Sequence, residues 1–265
     1  MKPIAIIGGT GVYDPQIIND AKEQVIATPF GEAKVIHGTY GEREVYFMNR
    51  HGAGHAVPPH LVNYRANIYA LKSVGVEKVL ATAAVGSTNL KMKPGEFVLT
   101  NQFLDFTKNR HQTFFEGGKK GVLHVDMTDP YCSELRKYLE NAAKAKNIHL
   151  HLQGTYVTTE GPRFESPAEI KMFQLLGGDL VGMTSNPEVV LAKEAGLCYA
   201  TVAMVTNFGA GISPTPLTHQ EVLEAMSQNA ANLKSLLMQT LSEIKDERSC
   251  NCSQAAGEVG DFWEA

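Results

Sequence analysis

Polar side chains with useful chemistry gather where apolar runs end: Asn49-Arg50-His51, Thr159 to Glu165, Gly182-Met183-Thr184 and Thr206-Asn207. Arg50, beside His51, offers a rigid fork of donors suited to an oxyanion. Gly8-Gly9-Thr10-Gly11 follows the apolar run Ile4 to Ile7, so backbone N–H groups and the Thr10 hydroxyl could approach an anion closely. A dinucleotide fingerprint would need a third glycine opening a helix and an acid further on, and this chain has Asp14-Pro15 instead. Histidines at 51, 55 and 60 invite a metal site. The glycines and prolines between them preclude a helix that would put two imidazoles on one face, which leaves anion or sugar contacts or plain loop histidines. Glu165 reads as a loop glutamate, and Asn207 as a polar group at a strand's exit. In an open α/β sheet, strand exits are where ligands bind.

These residues need strands and helices to hold them. Gly178 to Gly182 reads as a short strand, and Pro187 as the first residue of a helix capped by Asn186 or Ser185 and ended by Gly196. Met183 and Thr184 then sit at a strand–helix turn. Val35 to His37 and Val45 to Met48 form a hairpin around Tyr40-Gly41-Glu42. Asn63 to Val74 is a helix ended by Gly75, and Lys78 to Ser87 and Phe97 to Thr100 are strands. Thr107 to Val122 is a long polar excursion, of a length that in a compact domain is usually functional or an assembly element. Ser133 to Lys146 is an amphipathic helix, and Gln153 to Thr159 is a strand. Ser166-Pro167-Ala168-Glu169 is a capping box with proline at the first helical position, and Thr218-His219-Gln220-Glu221 is a second box. The strand from Leu197 to Val205 precedes a last helix with Val222, Met226, Ala230, Leu233, Leu237, Leu241 and Ile244 on one face. No linker or repeat interrupts the chain, so residues 1–245 read as one domain and residues 246–265 as a polar, flexible tail.

The chain's 265 residues can bury a sizeable core. With 24 basic and 28 acidic residues and a formal charge of −4, no basic face stands out, and nucleic acid is not an expected partner. The opening apolar run is too short for a signal peptide and no run approaches a membrane span, so the expected address is the cytoplasm, away from any membrane. Of the four cysteines, Cys132 and Cys198 are isolated and Cys198 lies in a buried strand. Cys250-Asn251-Cys252 has no second donor pair beside it in sequence. Two exposed thiols are therefore expected there rather than a zinc site.

Together the segments resemble one family: the trimeric purine nucleoside phosphorylases and their 5′-methylthioadenosine phosphorylase branch. The resemblance covers roughly residues 4–244. Its carriers are Ile6-Ile7-Gly8-Gly9-Thr10-Gly11, Asn49-Arg50-His51-Gly52, Pro58-Pro59-His60 with Asn63-Tyr64-Arg65-Ala66-Asn67, Thr159-Glu160-Gly161-Pro162-Arg163-Phe164, and Gly182-Met183-Thr184 with Pro187-Glu188-Val189. Each is weak alone, and all in order are specific. The resemblance implies a single α/β domain with a mixed, partly barrel-like sheet flanked by helices, assembled as a homotrimer or a hexamer. It implies that Thr10, Arg50, His51 and Thr184, with backbone near Ala83 and Ala84, hold phosphate. Met183 and His55 would lie by the ribose and Phe164 on the purine face. His219, Val222 and Leu223 would build the 5′ pocket, and His124 would reach the pocket of the neighbouring subunit. No metal or organic cofactor is needed, because phosphate is the nucleophile. The family also has members with Cys-x-Cys tails in which the pair can form a disulfide, which leaves the state of Cys250 and Cys252 open.

Cleaving an N-glycosidic bond builds positive charge on the sugar and negative charge on the departing purine, and preorganised groups stabilise both. The methylthioadenosine branch typically carries aspartates where this chain has Asn207 and Gly209, and a serine in place of Glu165. Asparagine can give N–H to a 6-keto oxygen, and a glutamate can accept N1–H, which hypoxanthine and guanine carry and adenine lacks. Glu165 and Asn207, the pair found in 6-oxopurine phosphorylases, together with His51, are thus the expected catalytic set. The expected reaction is phosphorolysis of inosine or guanosine, with 5′-methylthioinosine a further candidate and methylthioadenosine phosphorolysis the alternative. A nucleotide-cofactor oxidoreductase or a non-catalytic purine-binding protein fits less well, since neither uses the whole phosphate set.

Overall fold

The structure is a computed structural model that describes residues 1–8, 18–213, 218–255 and 257, with backbone only for residues 219 and 221. Gly9-Thr10-Gly11 and the side chain of His219 therefore lie outside the described residues.

Alternation along the strands decides which side chain faces which layer. In β1 (Ile4–Gly8), Ala5 and Ile7 face one core while Ile4 and Ile6 face the other, the period-two pattern of a strand covered on both sides. The same division holds in β5 (Lys78–Ser87), where Val79 and Ala81 oppose Leu80, and in β11 (Cys198–Phe208), where Tyr199 opposes Ala200 and Val202. On the first side lie α1 (Tyr64–Ser73) and α4 (Ser185–Glu194), and on the second α2 (Ser133–Ala145) and α5 (His219–Glu243). A shorter helix, α3 (Pro167–Leu175), packs Ile170 and Phe173 against Val157 and Val181.

The remaining strands are β2 (Asn19–Thr28), β3 (Gly31–Tyr40), β4 (Arg43–Asn49), β6 (Phe97–Leu99), β7 (Gln102–Phe106), β8 (Leu150–His151), β9 (Thr155–Thr159) and β10 (Leu180–Gly182). They join β1, β5 and β11 in one mixed 11-stranded sheet whose main path runs β2-β3-β4-β1-β5-β10-β9-β7. The sheet branches at β5. Its first residues pair in parallel with β1, its last two with antiparallel β10, and β11 runs parallel along its whole length. That branching brings the exits of β4, β9, β10 and β11 to the outer half of β5.

Local signals acted where they were expected. Asn63 caps α1 through its side chain on the Ala66 N–H, and Ser166 with Glu169 forms the reciprocal box opening α3. Asn186 is extended (φ −108°, ψ 136°) before Pro187, as the proline ring favours, so regular helix in α4 begins at Pro187. β2 has no counterpart in the sequence reading. Most of its side chains are exposed, so no apolar alternation announces it. Among the described residues, no helix is long and apolar enough to cross a membrane.

The C-terminal segment differs from expectation. Residues 246–255 are docked rather than loose. Asp246 pairs with Arg43 at 2.9 Å, Arg248 with Glu77 at 3.0 Å, and Lys78 donates to the carbonyls of Lys245 and Glu247 at 2.5 and 3.0 Å. Glu134 accepts the backbone N–H groups of Ser249 and Cys250 at 2.5 and 3.2 Å. A polar run reads as solvated only while its partners are unknown, and here they lie far upstream.

Candidate active site

A pocket of about 850 Å³, counting its open mouth, lies where those strand exits meet β5. Arg50, His51, Ala83, Ala84 and Thr184 line one end, and Phe164, Glu165 and Asn207 line the other. Met183, His55, Val222 and Met226 line it as well. Of the residues expected here, Leu223 is exposed and not part of the lining, while His124, expected at the neighbouring subunit's pocket, is exposed.

Arg50 is only 4% exposed, and its fork is already engaged. Nε and Nη2 donate to the two carboxylate oxygens of Glu188, each at 2.7 Å, and Nη1 donates to the Thr82 carbonyl at 3.0 Å. Glu188 is fully buried and also accepts the Tyr199 hydroxyl at 2.7 Å. Burial alone would lower the Arg50 pKa, but the Glu188 carboxylate more than offsets it and holds the guanidinium firmly protonated. Arg50 therefore meets the pocket as one half of a compensated ion pair, not as the free oxyanion fork expected from sequence. Glu188 lies within the stretch quoted for the resemblance, yet its partner is distant in sequence, so nothing local signalled its role.

His51, unlike Arg50, is neutral near neutral pH. Its Nδ1 lies 2.9 Å from the Val57 carbonyl, which can only accept, so Nδ1 carries the proton and Nε2 is left as an acceptor. Burial and the neighbouring Arg50 charge lower its pKa to about 4, and the His55 ring stacks on it at 4.2 Å. Thr184 stands at the N-cap of α4, with its N–H 3.5 Å from the Tyr156 hydroxyl.

At the other end, orientation is fixed by chemistry. Asn207 Nδ2 donates to the Phe208 carbonyl at 2.8 Å, and its Oδ1 accepts the Thr206 hydroxyl at 2.7 Å. Turning the amide over would set two oxygens against each other, so one N–H stays available to the pocket. Gly86 makes room for this: a Cβ there would come within 3.1 Å of Asn207 Nδ2. Glu165, 9% exposed, accepts the Thr159 hydroxyl at 2.6 Å. Burial pushes its carboxyl above the usual range, and the Thr159 hydrogen bond works against that rise. Phe164 is 39% exposed at the mouth. Gly161, at φ +66°, lies against the Met183 sulfur, where a Cβ would approach to 2.5 Å.

One further residue organises both ends. Arg110 comes from the long 107–122 excursion and donates to the carbonyls of Met183, Asn186, Thr159 and Glu160 at 2.7, 2.8, 3.1 and 2.8 Å. It ties the loops after β9 and β10 together beneath the pocket. The excursion's length hinted at a purpose, but its sequence does not single out Arg110.

Comparisons with known proteins agree with this geometry. The family model described as the phosphorylase superfamily matches residues 3–242. A probable 6-oxopurine nucleoside phosphorylase of Moorella thermoacetica is 60% identical over 97% of this chain and 98% of that protein. A 6-oxopurine nucleoside phosphorylase of Pyrococcus furiosus is 50% identical over 96% of this chain and 98% of its own. Among solved structures, a methylthioadenosine phosphorylase of Schistosoma mansoni in complex with adenine superposes with a TM-score of 0.91 at 34% identity, covering 98% of this chain and 97% of that one.

Proposed function

The chain belongs to the phosphorylase superfamily, and from that premise we propose that it is a purine nucleoside phosphorylase of 6-oxopurine specificity. It transfers the pentosyl group of inosine or guanosine to inorganic phosphate, giving free base and the sugar 1-phosphate. The observation that carries this reading is the fixed Asn207 amide lining the same pocket as Glu165. An N–H held toward the pocket meets a 6-keto oxygen, and an ionised Glu165 accepts N1–H. Adenine offers an amino group and a bare N1 to the same pair, and unpaired buried groups discriminate strongly. The relatives named for 6-oxopurine nucleosides, at 60% and 50% identity, support it further.

At the phosphate end, Thr184, Arg50 and backbone near Ala83 and Ala84 surround the anion; the resemblance assigns Thr10, which lies outside the described residues, the same role. His51, neutral with Nε2 as an acceptor, accepts a hydrogen bond from a hydroxyl of the phosphate or the sugar and does not add positive charge. The phosphate oxygen attacks C1′ as the glycosidic bond breaks. Negative charge then gathers on the purine, where the Asn207 N–H stabilises it through O6, and preorganised donors of this kind supply much of an enzyme's acceleration. Phe164 covers the purine face, while Met183 and His55 flank the ribose. Val222 and Met226 give the 5′ end an apolar wall that accepts methylthio as well as hydroxymethyl, so 5′-methylthioinosine is a second substrate. No cofactor enters this scheme. The reading also includes a cytoplasmic homotrimer acting in purine salvage, with His124 contributed to the neighbouring subunit. The exposed Leu61, Val122, Leu175 and Leu176 are apolar surface that assembly would cover.

The test is incubation of the purified protein with inosine, guanosine, 5′-methylthioinosine and methylthioadenosine, with and without phosphate, followed by chromatography of the bases. Phosphate-dependent hypoxanthine and guanine release with little adenine is expected. Adenine as the main product would overturn the base-site assignment in favour of methylthioadenosine phosphorolysis.

A further inference from the structure

The four cysteines, scattered at positions 132, 198, 250 and 252, converge on one point of the fold. Cys132 precedes α2, Cys198 opens β11, and Cys250 and Cys252 arrive with the docked C-terminal segment. Their sulfur atoms all lie within 4.8 Å of one another, and Cys198 Sγ is 3.3 Å from Cys250 Sγ. No sulfur is farther than 4.8 Å from any of the other three, so the arrangement is a closed tetrad and not two separate pairs. Cys132, Cys198 and Cys252 are buried and Cys250 is half-buried. In sequence no second donor pair stands beside Cys250-Asn251-Cys252, which argues against zinc, and the fold supplies that pair.

We propose that Cys132, Cys198, Cys250 and Cys252 form a tetrathiolate site for one Zn²⁺ per chain, which clamps the C-terminal segment to the starts of β11 and α2. Four sulfurs about a tetrahedral ion with bonds of about 2.3 Å are separated by about 3.8 Å, between the closest and widest spacings seen here. Binding forms four Zn–S bonds and releases the four thiol protons to solvent, with no change of oxidation state. Four protein ligands leave no open position, which makes the site structural and not catalytic. Its distance from the pocket agrees. Ala203, paired with the pocket-lining Ala83, lies five positions beyond Cys198 on β11, or roughly 16 Å at a strand's rise, and Asn207 nine positions, or roughly 30 Å.

The full-length chain, produced in zinc-supplemented medium and purified under reductant without chelator, is analysed for metal by mass spectrometry. The expected result is close to one zinc per chain, falling to near zero in Cys250→Ser and Cys252→Ser. Anaerobic titration of the reduced, metal-free wild-type protein with Co²⁺ should give the charge-transfer and visible bands of a tetrahedral tetrathiolate, a readout independent of whether the variants fold. Stripping the zinc should lower the thermal midpoint and leave kcat/KM at 25 °C unchanged. A reduced protein with four reactive thiols that takes up neither ion would overturn the proposal. So would a native mass short by the hydrogens of two disulfides. Zinc whose removal leaves the midpoint in place would overturn the clamping role.

Discussion

The two ends of the pocket are built on opposite plans. At the end proposed to take phosphate, the Arg50–Glu188 pair is sealed beneath the surface, with Tyr199 and the Thr82 carbonyl completing its hydrogen bonds. At the end proposed for the base, Phe164 is 39% exposed, and among the described residues the Asn207 side chain is held by its chain neighbours Thr206 and Phe208. The first plan fixes one geometry through distant parts of the chain, which suits a co-substrate that is always the same. The second places a few directional groups on locally determined backbone, so a single substitution can change which base fits. Stability and specificity are therefore expected to separate between the ends.

Glu188→Ala should give the largest effect. It leaves a buried guanidinium without its carboxylate, a loss of about 3–5 kcal/mol of folding stability. Urea unfolding followed by circular dichroism measures this, and phosphate saturation should weaken in parallel. A loss below about 1 kcal/mol, the range of an exposed pair, would mean the phosphate end is not the rigid half.

Asn207→Asp comes next and should behave differently: near-native stability with a changed preference. Replacing the N–H by a carboxyl removes the donor to a 6-keto oxygen and offers a partner to a 6-amino group. The ratio of kcat/KM for inosine over adenosine should fall about 10²–10³-fold, the size of effect seen when one donor to developing charge is lost. An unchanged ratio would place base recognition elsewhere in the pocket.

The same contrast governs what could be read in advance. Residues whose partners are close in sequence announced themselves. Ser166 and Glu169 spell their own capping box, Gly75 and Gly196 mark helix ends, and Glu165 and Asn207 stand at strand exits. The strands of the two cores were legible because alternating or continuous apolar runs betray burial. What stayed hidden depends on long-range closure. Glu188 meets Arg50 across 138 positions, and Arg110 reaches Met183 across 73. The tail that looked solvated is held by Lys78, Arg43 and Glu134. In each case a charged residue reads as surface until the fold shows what neutralises it.

Glu165→Gln gives a smaller effect with a pH signature. The amide still accepts a hydrogen bond but without charge, so kcat/KM for inosine should drop about tenfold to a hundredfold, in line with about 1.5–3 kcal/mol for a charged hydrogen bond. In the wild type, burial raises the Glu165 pKa, so activity should fall with decreasing pH while still above the usual carboxylate range, as the carboxyl gains a proton and ceases to accept as an anion. His51, at about 4, is neutral across that window and does not contribute a limb near ordinary imidazole values. The substituted amide cannot titrate, so the variant's profile should be flat where the wild type declines.

Thr159→Val is the smallest change and the sharpest check on that assignment. It removes the hydroxyl that, among the described residues, donates to Glu165, at 2.6 Å, and preserves the side chain's shape. That hydrogen bond favours the ionised carboxylate and opposes the effect of burial. Without it the Glu165 pKa rises further, so the acid limb of kcat/KM should move toward neutral pH. On the alkaline side of the limb, where Glu165 is ionised in both proteins, the loss should be only a few-fold, matching about 0.5–1.5 kcal/mol for one hydrogen bond. A uniform loss at all pH values, with the limb unmoved, would show that the group titrating in the pocket is not Glu165. The base end would then owe its preference to Asn207 alone.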